Sequence, residues 1–349
     1  MELKEKQKKI IVLNTDPKDF SYGGVCPFMR NMHPYLSEKF DIDYITLPNE
    51  WRKIPGSTRV KYLFYLFLYR NKLKKANFIL SHGPEASYIA SYSGVPYSHI
   101  YHGNSNPMTI SRYKIGKYFA KIWDKMFNRI EETCPLIYTV GPARKRNHKK
   151  LYNPLNQNFL PIPTDRRKGF IFAGRLETMK NIDRLIKIYS KLPQNIKKEN
   201  PFYIAGYGTQ EDKLKELVEQ LNLSEQVIFL GKIDNTEMLK TDADKRILLM
   251  ASSTEGMPTA IAEAFSVGVP VVSTAVGDIP NVVRDGENGR LLPLEYSDEE
   301  YISCITDIID NYDRYSDVAY KTSEIFNAEK ITNGVIKDIL SILENNEAN

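Results

Sequence analysis

Residues 252–274, SSTEGMPTAIAEAFSVGVPVVST, place Glu255 and Glu263 on either side of a Gly-Met-Pro bend, with seven residues between them. Pro258 suits the first position of a helix, where its missing N–H costs nothing and its fixed φ is already helical. The pattern predicts a helix over 258–267 that stops at Gly268, with Pro270 beyond it. The first turn of such a helix leaves N–H groups unpaired, those of Thr259 and Ala260 among them, and carries partial positive charge. An anion site results, and a diphosphate fits it. Glu263 then lies about 7–8 Å along the axis from the first turn, while Glu255 precedes the helix on the other side of its mouth. The pair is not the roughly 5–5.5 Å arrangement in which two carboxylates address one glycosidic bond. It suits different ends of one long ligand whose phosphates lie between them. The plainer alternative is one exposed helical glutamate and one loop glutamate. Gly256, between a strand end and a helix start, lets backbone approach a ligand and favours the first reading.

Cations for such a ligand stand in FAGRLETMKNIDRLI (172–186), where Arg175 follows a strand end and Lys180 opens the next helix. Arg binds a diphosphate bidentately and Lys as a point charge, although either alone also fits a solvated basic patch. YGGV (22–25) follows the first strand, and Gly23 and Gly24 there let N–H groups approach phosphate or sugar, or form a tight turn. GYGTQE (206–211) holds only G-x-G, an incomplete dinucleotide fingerprint. His82 and His102 each end a strand as His-Gly; at least one of them is expected to be functional, His102 in preference. Neither has a partner at zinc-ligand spacing. The Asp-x-Asp pairs at 41–43 and 242–244 suggest a metal-bound nucleotide, but one sits in a strand and the other in a helix–strand connection, and both are read as incidental.

The elements that position these residues alternate. Strands are expected at 9–15, 41–47, 77–83, 97–103, 136–141 and 158–163, with helices at 57–75 and 113–132. A second series begins at 169–174 and continues at 201–206, 226–231, 247–252 and 270–274. Near-continuous apolar strands separated by helices require a parallel sheet covered on both faces. Two such series, joined near PIPTDRRKG (161–169), give an α/β chain of two doubly wound Rossmann-like domains facing across a cleft, with ligands at the carboxyl ends of the strands. The boundaries expected are 1–164 for an acceptor-side domain, 165–327 for a donor domain and 328–349 for a helix crossing back to the first.

At 349 residues, two domains of ordinary size are the prior. Apolar residues make up 42% and charged residues 26%, which excludes a disordered chain. Three scattered cysteines fit neither a disulfide framework nor a metal site and suit a reducing cytosol. MELKEKQKK runs directly into IIVLNT without a secretory h-region, and YLFYLFLY (62–69) is too short to span a bilayer, so a cytoplasmic protein is expected. The net charge of +5 favours nucleotides, lipid headgroups or nucleic acid without selecting among them.

YGGV, YHG (101–103), FAGRLETMKN (172–181), IAGYGTQEDKL (204–214), VIFLGKI (227–233), STEGMPTAIAEAFSVGVPVVST (253–274 with Ser252 before it) and GDIPNVVRDGENGRLLP (277–293) together resemble a retaining GT-B glycosyltransferase of family 4, the glycosyl transferases group 1. The C-terminal half matches almost throughout and the N-terminal half in outline. The resemblance implies that Glu255, with the backbone of Gly256 and Met257, holds donor-sugar hydroxyls, and that Glu263 binds the ribose. It implies Arg175 and Lys180 on the leaving diphosphate, assisted by the amides of Thr259 and Ala260, with Gly23 and Gly24 approaching from the first domain. His102 would lie near the reacting carbon, and Ile233 would meet the base through its backbone. The implied donor is a nucleotide-diphosphate sugar, a UDP-sugar first, used without metal or cofactor. The implied acceptor is a hydroxyl on a glycan, a lipid-linked sugar or a protein, in cell-surface polysaccharide, glycolipid or glycoprotein synthesis, and not nucleic acid. The interdomain segment LYNPLNQNFLPIPTDRR is shorter than is usual in the family.

On the acceptor side, RVKYLFYLFLYRNKLKK (59–75) reads as a helix apolar nearly all round with cations at both ends. It either packs on the sheet or leans on anionic membrane at the inner face. RKRNHKK (144–150) assists or is a solvated helix face. Competing functions are a nucleotide-sugar epimerase of the same architecture, which would need no acceptor, and a non-catalytic subunit, against which the intact Arg175, Lys180, Glu255 and Glu263 set argues. A dehydrogenase would need the missing glycine fingerprint.

Overall fold

Five-residue apolar runs such as FILSH and LIYTV are buried along their whole length, as strands in the middle of a doubly covered parallel sheet must be. The structure, a computed structural model, describes residues 8–16, 26–102, 116–141, 145–156, 163–233 and 235–347. The chain divides into two units, 1–156 with 327–349, and 157–326.

In the first unit, β1 (Lys9–Leu13), α1 (Cys26–Lys39), β2 (Asp41–Ile45), α2 (Asn49–Lys53), α3 (Thr58–Leu73), β3 (Phe78–His82), α4 (Pro84–Ala90), β4 (Tyr97–Tyr101), α5 (Gly116–Thr133), β5 (Leu136–Val140) and β6 (Lys149–Leu151) follow in order. Among the described residues its sheet has six parallel strands in the order β2-β1-β3-β4-β5-β6. The second unit runs through β7 (Phe170–Ala173), α6 (Ile182–Lys191), α7 (Gln194–Glu199), β8 (Phe202–Ala205), α8 (Glu211–Gln220), β9 (Val227–Gly231), α9 (Asn235–Ala243), β10 (Ile247–Leu249), α10 (Thr259–Ser266), β11 (Val271–Thr274), β12 (Gly289–Leu292), α11 (Asp298–Asp310) and α12 (Tyr312–Thr322). Its six described strands are also parallel, ordered β12-β11-β10-β7-β8-β9. In each sheet the first strand is flanked by strands reached in opposite directions, β2 and β3 beside β1, β8 and β10 beside β7. Such reversal points open crevices at the strands' carboxyl ends.

The last helix, α13 (Ala328–Glu347), packs on α1, with Val335, Ile336, Ile339 and Leu343 in the core that holds Met29, Met32 and Leu36. Leu155 bridges to Asn327, so the chain leaves and re-enters the first unit at adjacent points. The units therefore divide after residues 156 and 326, where the sequence placed the divisions after 164 and 327. Tyr138 and Lys149 both donate to Asp338, at 2.8 and 2.6 Å, which pins α13 to the sheet edge.

Three elements differ from expectation. The expected strand at 158–163 falls almost wholly outside the described residues. The RKRNHKK segment is no helix face, because Lys149–Leu151 pairs with β5 as an edge strand whose lysines discourage further pairing. β12, a four-residue edge strand containing Arg290, was not anticipated. Among the described residues, no helix is long and apolar enough to cross a membrane.

Candidate active site

The loops that leave the carboxyl ends of β7 and β10 flank the reversal point of the second sheet, and they are laced together. Met179 O accepts the Ser253 N–H at 2.8 Å and the Ser253 hydroxyl at 3.2 Å. Asn181, left-handed at φ 49°, donates its side-chain amide to Ala251 O at 2.8 Å. This lacing brings Lys180 and Glu255 into an ion pair, Nζ to Oε1 2.5 Å, with the side chains 18% and 9% exposed. Ser252 donates to the same Oε1 at 2.7 Å and is itself seated by Thr274, whose hydroxyl donates to Ser252 O. Both bonds fall on Oε1, and Oε2 has no partner among the described residues. Glu255 thus orients a cation with one oxygen and keeps the other available as an acceptor.

A third loop supports this one. Asp278 N–H donates to Gly256 O at 2.9 Å, and Gly277 is left-handed at φ 61°. A Cβ on Gly277 would stand 2.1 Å from Glu255 O, a contact no side chain tolerates. A comparable approach explains the G-x-G of β8, because a Cβ on Gly206 would stand 1.8 Å from Gly174 O. Those glycines bring two strand ends together and need no dinucleotide.

α10 starts one residue later than the sequence suggested, with Pro258 as the capping residue and no side chain capping it. The N–H groups of Thr259 and Ala260 have no partner among the described residues, Gly256 is exposed and Met257 is buried. The uncapped helix start thus stands directly after the bend that carries the Lys180–Glu255 pair. Arg175 is exposed two residues past β7, without an ion pair among the described residues. Ile233 is half-buried two residues past β9.

Glu263 lies inside α10 and is buried, and desolvation pushes its carboxyl up to about 7. Behind it, at the end of α9, Asp242 is also buried and neither of its oxygens has a hydrogen-bond partner among the described residues. Desolvation first, and then the neighbouring Glu263, holds Asp242 well above the carboxylate range, against the pull of Lys245. Asp242 lies near the end of α9, which packs on α10.

At the matching edge of the first sheet, β3 and β4 are paired, and their carboxyl ends bring His82 Nδ1 within 2.8 Å of His102 Nε2. The rings stack at 5.1 Å, and Phe28 meets both edge-on. Burial, His102 and His99 hold His82 well below its usual value. The His102 ring keeps solvent-accessible surface, yet the protein packed around it pushes it down to about 4. Two neutral imidazoles share one N–H···N bond. Gly23 and Gly24 lie outside the described residues.

This α/β architecture is that of the GT-B class. Sucrose-phosphate synthase from Thermosynechococcus elongatus superposes with a TM-score of 0.78 at 16% identity, covering 97% of this chain and 100% of that one. HepE of Anabaena, in complex with UDP and glucose, does so with a TM-score of 0.71 at 16% identity, covering 96% and 100%. Residues 156–324 match the family described as glycosyl transferases group 1. The O-antigen chain mannosyltransferase B of Escherichia coli is 34% identical over 116 residues, 33% of this chain and 30% of that protein. The chain spans about a third of the length of the first curated relatives it matches.

Proposed function

We propose that the protein transfers a glycosyl group from a nucleotide-diphosphate sugar, a UDP-sugar first, to a hydroxyl acceptor, with retention of configuration and without a metal. The observation that carries this reading is the Lys180–Glu255 ion pair beside the uncapped start of α10. The diphosphate lies at the helix start, where the amides of Thr259 and Ala260 and the cations of Arg175 and Lys180 meet the charge that grows as it departs. Preorganised donors of this kind act on the transition state more than on the ground state. Glu255 Oε2, with the backbone of Gly256 and Met257, takes sugar hydroxyls. Glu263 takes the ribose and Ile233 the base through its backbone. An oxocarbenium-like state leaves the reacting carbon open to attack on the departing group's face.

The acceptor is a hydroxyl on a glycan, a lipid-linked sugar or a protein in cell-surface synthesis. Support comes from the family match and from the name of the Escherichia coli relative, an O-antigen chain mannosyltransferase. A thermal-shift screen of nucleotide sugars tests the donor, because a ligand of the folded state raises its apparent stability. A UDP-sugar that shifts the transition, followed by acceptor-dependent UDP release, is the expected result. A free epimer formed without acceptor would overturn it.

A further inference from the structure

α3, TRVKYLFYLFLYRNKL, buries only one of its two apolar faces. Tyr62, Leu66 and Leu73 are buried on it, with the Tyr62 hydroxyl donating to Ile45 O at 2.6 Å. Val60, Phe64, Phe67 and Leu68 recur at helical spacing on the opposite side and are 50, 57, 50 and 52% exposed. The sheet takes one stripe and leaves an aromatic stripe in solvent. A contiguous patch of this kind marks a binding surface.

Its charge identifies the partner. Between Trp51 and Pro84 the sequence has no Asp or Glu and eight cations, Arg52, Lys53, Arg59, Lys61, Arg70, Lys72, Lys74 and Lys75. Arg59 is engaged by buried Glu85 at 3.0 Å. At the C-terminal end of α3, a groove of about 410 Å³ toward α4 is lined by Phe67, Arg70, Lys74, Tyr88 and Tyr92, among others. Arg70 stands 4.5 Å over the Phe67 ring and Arg129 3.8 Å over the Tyr92 ring, so cations and aromatic faces alternate around it. Apolar tips with cations at their base, and no carboxylate in the segment, match the boundary of a bilayer with anionic headgroups. A second copy of the chain would bring two cationic faces together.

We propose that this face of α3 docks on an anionic phospholipid surface, with Phe64, Phe67 and Leu68 entering the headgroup layer and Arg70 and Lys74 meeting phosphates at the groove. This interaction is independent of the transfer reaction and would deliver the chain to a lipid-linked acceptor. Co-sedimentation of the full chain with phosphatidylcholine vesicles, with and without phosphatidylglycerol, tests it, with circular dichroism and UDP binding as fold controls. Binding is expected only with phosphatidylglycerol and is expected to weaken with salt. Phe64→Ser with Leu68→Ser should weaken it about tenfold or more, and Arg70→Gln with Lys74→Gln about fivefold per charge. Equal binding to neutral vesicles, variants that bind as the parent does, or no binding would each overturn the proposal. Self-association by sedimentation velocity that is lost in Phe64→Ser with Leu68→Ser would assign the face to a second copy instead.

Discussion

The two sheets present the same kind of edge and arm it oppositely. In the second unit the strand ends carry a cation paired with a carboxylate, an uncapped helix start and two buried acids. In the first they carry two imidazoles held neutral against each other under Phe28. One edge is built to meet charge and the other to avoid it. The same topology therefore offers two chemistries, and what separates them is which side chains the strand ends deliver and how deeply these are buried.

The largest expected effect breaks the charged edge. Glu255→Ala and Lys180→Ala should each lower kcat by about a hundred- to a thousandfold with the fold intact, measured as UDP release with acceptor. A Glu255→Ala enzyme with undiminished turnover would remove Glu255 from the site. Gly277→Ala comes next. Its left-handed backbone and its contact with Glu255 O should cost about 1–3 kcal/mol or more of stability and weaken UDP binding, whereas alanine at exposed Gly256, which has open space around it, should leave the fold unchanged.

The smallest effect, a pH profile, sharpens the contrast. Glu263 is raised to about 7, so its folded form holds a proton that the unfolded chain has released between about 4.5 and 7. That stability is present at low pH and is lost as pH rises through 7. With Glu263 on the ribose as proposed, its ionised form is the stronger acceptor, so UDP affinity should climb severalfold across the same interval, and Glu263→Gln should flatten it. The histidines run the other way. His82 is well below its usual value and His102 is near 4, so the unfolded chain takes up protons first and stability falls as pH drops from about 6.5 toward 4. His82→Gln should shrink that loss, as followed by thermal melts.

The geometry around Lys180, Glu255 and the start of α10 was readable because its signals are local: a Gly-Met-Pro bend before a helix, a cation just past a strand, a glutamate within the helix. What escaped depended on distance or direction. Asn181 and Ser252 matter through contacts with loops some 70 and 22 residues away. The His82–His102 contact needs the register of β3 on β4. Asp242 looks like a loop acid until α9 is packed on α10. β6 and β12 are short edge strands whose Lys and Arg read as solvent-facing segments. For α3, an apolar run without a polar face gave no indication of which stripe the sheet would take.

The central claim is that a pyrophosphate sits at the start of α10, between the loops of β7 and β10. Amide NMR of the full chain titrated with UDP tests it most directly. The account predicts that the Thr259 and Ala260 resonances move the most and that Lys180→Ala reduces their displacement. Saturable UDP binding that leaves both amides in place would contradict it.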